Sequence, residues 1–195
     1  RSRCQIIRFR PLTESNLQEL IAKSDAVENP DRAEMLVGLE HAGLAESILW
    51  SEEPFWNFRQ ELLNLLAHVP PPVEQLTQVV QSFIEQEKAP AERRKRMQLT
   101  FRLTAFFYRT LLRMAVGTAA EMEATDTPHL DETLALAVSK ARKFLESDQN
   151  SAIESLTRMI DRSLAAEQHT NQNANPATVV GCWADDLNGC LSAQI

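Results

Sequence analysis

A long apolar helix in the middle of the chain most constrains the fold. The segment from Pro90 to Gly117 opens on a proline, closes on a glycine and keeps a helical period between them. Its second half is apolar on more than one face, which is typical of a helix buried inside a bundle. An all-α bundle built around this helix is therefore predicted. The apolar residues concerned are Leu99, Phe101, Leu103, Phe106, Phe107, Leu111, Leu112 and Met114.

Amphipathic segments on both sides of the central helix supply the rest of the bundle. Five glycines in 195 residues leave few positions that would interrupt a helix. Apolar residues recur at helical spacing in further segments after residue 52, which predicts amphipathic helices. We expect these helices at about 55–69, 73–86, 130–146 and 151–166, with a last one after Pro176.

The first 50 residues predict a smaller module that begins with a strand. The alternation from Gln5 to Phe9 is typical of a strand, which we expect to be the last one of an upstream sheet. Thr13 is a suitable N-cap for a first short helix, and Pro30 lies near the start of a second. A third short helix is predicted from about Leu44 to Trp50, so the module ends near residue 52.

Composition limits the kinds of partner and compartment. A formal net charge of −7 argues against a chain whose main task is to grip a phosphate backbone over a broad surface. Cys4, Cys182 and Cys190 form no CxxC pair, so no zinc site or disulfide framework is predicted and a reducing cytoplasm is the expected compartment. No apolar run reaches the roughly 18 residues of a membrane span. The four histidines lie too far apart to predict a metal site.

An arginine-containing triplet, Ser2-Arg3-Cys4, opens the chain ahead of the predicted strand. Together with the strand and the Pro11-Leu12 pair that follows, it resembles the junction that closes the nucleotide-binding domain of AAA+ clamp-loader subunits. The resemblance implies that Arg3 reaches across a subunit boundary toward ATP bound by a neighbour. A planar guanidinium that is always charged can grip phosphate oxygens there. The resemblance also implies packing for Cys4 and a turn-shaping role for Ser2.

The same resemblance implies a domain organisation. Residues 1–11 would end the AAA+ nucleotide-binding core, residues 12–52 would form its three-helix lid, and residues 53–195 would form the helical collar through which subunits assemble. The chain would then be the C-terminal portion of a longer protein. Because large apolar side chains commonly dominate interfaces, we expect the stripe of the last helix to contact a neighbouring subunit. That stripe consists of Val179, Val180, Trp183, Leu187 and Leu191.

Two further segments are similar to the delta-prime family of subunits in the bacterial DNA polymerase III clamp loader. They are the polar run from Asn171 to Pro176 and the run from Phe107 to Leu112. The lid segment from Ala42 to Ser47 lacks the sensor arginine of ATP-binding subunits, and no GxxxxGK[ST] loop occurs in the chain. The resemblance therefore implies a stator with no cofactor or activity of its own. Its partners would be the gamma/tau subunits, which bind ATP, and delta, with the sliding clamp and primed DNA reached through the complex.

Two other interpretations stay open. A gamma/tau-type ATPase subunit would carry a Walker A lysine upstream, whereas an unrelated helical scaffold or interaction protein would have no nucleotide-binding domain. The run from Glu92 to Arg96 is the densest basic stretch. It is either the solvated start of a helix or a contact with DNA.

Overall fold

The computed structural model describes residues 13–23, 32, 51–117, 132–145, 148–172 and 174–192. These residues are helical apart from short connections, and no strand occurs among them. The predicted all-α class is therefore confirmed for this part of the chain. The predicted strand from Gln5 to Phe9 lies outside the described residues, as do the second and third short helices apart from Arg32. The chain divides after Phe55 into two compact units.

The N-terminal unit contributes one helix with described bounds, α1, from Glu14 to Ala22. Thr13 caps it as predicted, since its hydroxyl accepts a hydrogen bond from the backbone N–H of Asn16 at 3.3 Å. Leu17 and Ile21 lie one turn apart and are buried. Leu20, on the same helix, is 40% exposed.

Six further α-helices have described bounds from Glu53 onward, and their number and order match the predicted bundle. They are α2 (Glu53–Leu66), α3 (Val73–Glu85), α4 (Pro90–Val116), α5 (Glu132–Leu145), α6 (Gln149–His169) and α7 (Pro176–Ser192), with a short 3-10 helix at Thr170–Gln172 between the last two.

The central helix α4 begins and ends where the sequence predicts. Pro90 occupies its first turn, where a missing backbone N–H costs nothing. Gly117 caps the other end, with its N–H bonded to the carbonyl oxygen of Arg113 at 2.8 Å. The helix α6 starts two residues earlier than predicted because the Asp148 carboxylate accepts from the N–H groups of Asn150 and Ser151. Such a carboxylate cap satisfies backbone donors that the first turn leaves open.

The core of the C-terminal unit forms around α4, which packs along α6 over most of its length. Helix α7 packs against both α6 and α3, and α5 packs against α4. Three threonine hydroxyls on α4 are satisfied within the helix itself. Thr100, Thr104 and Thr110 each donate to the carbonyl oxygen four residues earlier. These bonds let the helix be buried on several sides without leaving those hydroxyls unpaired.

Candidate subunit interface

The triplet that carries the clamp-loader resemblance, Ser2-Arg3-Cys4, lies outside the described residues. Its predicted role therefore stays a prediction. The second set of predicted site residues, the apolar stripe on the last helix, falls within α7 and can be examined directly.

The apolar stripe of α7 lies in the chain's own core. Val179, Val180, Trp183 and Leu187 are all buried, with Val180 and Leu187 fully so, and the side chain of Leu191 lies outside the described part. Helix α7, which carries them, packs against α3 and α6. The expectation that this stripe contacts a neighbouring subunit is corrected accordingly: the surface that α7 offers is its opposite face.

Trp183 is fixed in this core at both its ring and its polar atom. Its ring meets that of Phe101 on α4 edge to face, with centroids 5.1 Å apart. Its indole N–H donates to the hydroxyl of Ser163 on α6 at 3.3 Å, and Ser163 in turn donates to the carbonyl oxygen of Met159. A buried indole needs such an acceptor. Trp183 therefore joins α4, α6 and α7 within one molecule.

The outer faces of α6 and α7 enclose an open groove of about 630 Å³. On α7 the groove carries an acidic pair, Asp185 and Asp186. Its wall on α6 carries two arginines, Arg158 and Arg162, one turn apart. The other lining residues are Asp161 and Ala165 on α6 and Gly189 and Cys190 on α7.

The arginines that line the groove form only exposed ion pairs within the chain. Arg162 approaches the carboxylate of Asp186 at 4.0 Å, with both side chains more than half exposed. Arg158 pairs with Glu154 on its own helix. Exposed pairs of this kind contribute little to stability because both partners are well hydrated. The groove is therefore a charged surface whose side chains are available to re-pair with a partner.

The basic run from Glu92 to Arg96 stabilises the fold, which neither a solvated helix start nor a contact with DNA predicts. The guanidinium of Arg96 donates to the carbonyl oxygen of Phe83 at 2.5 Å and lies 4.4 Å from the centre of its ring. It also pairs with Glu87 at 2.6 Å. Arg93 donates to the carbonyl oxygen of Glu87. These two arginines bind carbonyl groups at the C-terminal end of α3, where the last turn leaves acceptors unpaired.

The polar run before α7 also has a structural role. Asn171 accepts a hydrogen bond from Gln98 on α4 at 3.0 Å. Asn175 caps α7, with its side-chain oxygen accepting from the N–H of Ala177 at 2.9 Å. Nearby, Arg102 on α4 pairs with Glu167 at 2.6 Å and so fastens the end of α6. The segment thus determines where α7 starts. Its hydrogen bond from Gln98 to Asn171 also ties the connection between α6 and α7 to α4.

The segment from Phe107 to Leu112 is mostly core, and it contains a hydroxyl without a partner. Tyr108 is buried, and within the described part of the chain its phenol oxygen has no hydrogen-bond partner. Burial raises the pKa of Tyr108 well above its usual range, and a negative charge on Cys190 would raise it further. Burial likewise raises the pKa of the Cys190 thiol, although Arg162 and Arg158 oppose this.

Replacing Tyr108 with phenylalanine should leave the protein at least as stable at neutral pH, with a gain of up to about 1 kcal/mol, because it removes an unpaired buried hydroxyl. Because the raised pKa keeps the folded tyrosine protonated where the unfolded chain loses its proton, wild-type stability should fall above about pH 10. Tyr108→Phe should lose less stability over the same rise in pH, because it has no hydroxyl to titrate. Urea unfolding at neutral and alkaline pH measures both effects, and a loss above about 1 kcal/mol at neutral pH would reveal a hydrogen bond.

Metal and membrane sites are not evident in the described ranges. Within them, His, Cys, Asp and Glu side chains form no group of three or more that could hold a metal ion. No helix among these residues has both the length and the apolar character of a membrane span. No protein-family model, curated protein or solved structure matches the chain.

Proposed function

We propose that this chain is the lid-and-collar portion of a non-motor subunit of the delta-prime type in the bacterial DNA polymerase III clamp loader. The observation that carries the proposal is the order of parts along the chain. A Ser2-Arg3-Cys4 junction comes first, then a small unit that ends at Phe55, then a larger helical unit. The setting would be the cytoplasm.

The proposed role is structural and electrostatic. The small unit corresponds to the lid of a AAA+ module, and the helices after it correspond to the collar that holds the subunits in a ring. Arg3 would supply positive charge to ATP bound by an adjacent gamma/tau subunit, where phosphoryl transfer develops negative charge. ATP binding would favour the assembly that opens the sliding clamp on primed DNA, and hydrolysis would release the clamp.

The buried α7 stripe is compatible with the collar assignment. A collar domain must keep its own fold while it contacts neighbours, so its apolar residues should first form a complete internal core. The C-terminal unit has such a core, with Phe101, Leu111, Leu156 and Trp183 buried. Contacts with other subunits would then use the outer helix faces.

The proposal is tested by reconstitution. The full-length protein, purified with the gamma/tau and delta subunits of the same organism, should form a stable complex that loads the sliding clamp onto primed DNA. Omitting this protein should abolish loading. A full-length protein that stays separate from both subunits in sedimentation would favour the interpretation as an unrelated helical scaffold.

Isolated, this 195-residue chain should not bind ATP. It contains no glycine-rich loop with a lysine to cradle phosphates. Calorimetric titration should show no heat of binding at micromolar concentrations, with a gamma/tau subunit in the same buffer as the positive control. Micromolar affinity for ATP in this chain would contradict the stator assignment and point to an ATPase subunit.

A further inference from the structure

We draw no further inference here: the strongest candidate, the row of arginines along the outer side of α4 (Arg94, Arg102, Arg109 and Arg113), carries nothing, because each of these arginines already interacts within the chain and nothing in the structure shows what covers the row.

Discussion

Trp183→Ala should lower the free energy of unfolding by about 3–5 kcal/mol, the range for removing a large aromatic side chain from a packed core. Trp183 is 2% exposed and packs edge to face on Phe101. Its removal would leave a cavity between α4, α6 and α7 and would deprive the Ser163 hydroxyl of its donor. Because domains of this size have about 5–15 kcal/mol in total, the variant should be close to unfolding at physiological temperature. Urea unfolding followed by circular dichroism measures the loss.

Leu136→Ala serves as the control for this loss. Leu136 is also a large apolar residue on a helix, but it is 53% exposed. Truncating it should change the free energy of unfolding by no more than about 0.5 kcal/mol. Equal losses in the two variants would mean that Trp183 is not in a packed core and would reopen its assignment to a subunit interface.

The burial of the α7 stripe changes the expected result of removing the last helix. Deleting residues 177–195 takes Val180, Trp183 and Leu187 out of the core of the C-terminal unit. The truncated protein should therefore lose its cooperative fold rather than remain helical and merely fail to assemble. Point variants on exposed helix faces, which spare the core, are therefore the sharper probe of the proposed assembly.

Local sequence signals were enough to predict the helices within the described residues. Pro90 and Gly117 mark the ends of α4 by the backbone chemistry of single residues. Thr13 was recognised as a cap in the same way, and it makes the expected hydrogen bond. Asp148 makes the same kind of cap but was missed, because the apolar period of α6 begins only after its first turn.

Which face of a helix meets which partner could not be predicted from local signals. An apolar stripe shows that a face is buried, but not whether the burying surface belongs to the same chain. For α7 the burying surface comes from α6, the helix just before it, and from α3, which lies much earlier in the sequence. The same limit applies to Arg96, whose basic charge predicted solvent or DNA. The backbone of Phe83, 13 residues away, turned out to bind it.

The groove could not be predicted from local sequence signals either. Arg158 and Arg162 on α6 and Asp185 and Asp186 on α7 are ordinary surface charges when each helix is taken alone. They become one site only because the two helices pack side by side and leave an open channel between their outer faces. The glycines of α7 give no signal either, because Gly181 and Gly189 both have open space at the Cβ position and only Gly189 lines the groove.

Arg3→Ala in the full-length protein should leave folding unchanged and reduce the ATPase rate of the assembled clamp loader in the presence of clamp and primed DNA. The physical reason is that a guanidinium supplied by one subunit can stabilise charge that develops on ATP held by another. Loss of such an arginine costs about 10³-fold or more at the affected site in related phosphoryl-transfer systems. Since a complex has several ATP sites and Arg3 would serve one of them, the total rate should fall only in part.

Two further variants separate the shape of Arg3 from its charge and its position. Arg3→Lys keeps the charge but replaces the planar fork with a single ammonium, so it should recover little of the lost rate if two-point binding of phosphate is required. Arg1→Ala removes a neighbouring arginine from the same segment and should have little effect. Binding to gamma/tau should be retained in all three, which distinguishes a defect in hydrolysis from one in assembly. If Arg3→Ala supports normal ATP turnover and clamp loading, the Ser2-Arg3-Cys4 triplet has no role in trans and the proposed function loses its main support.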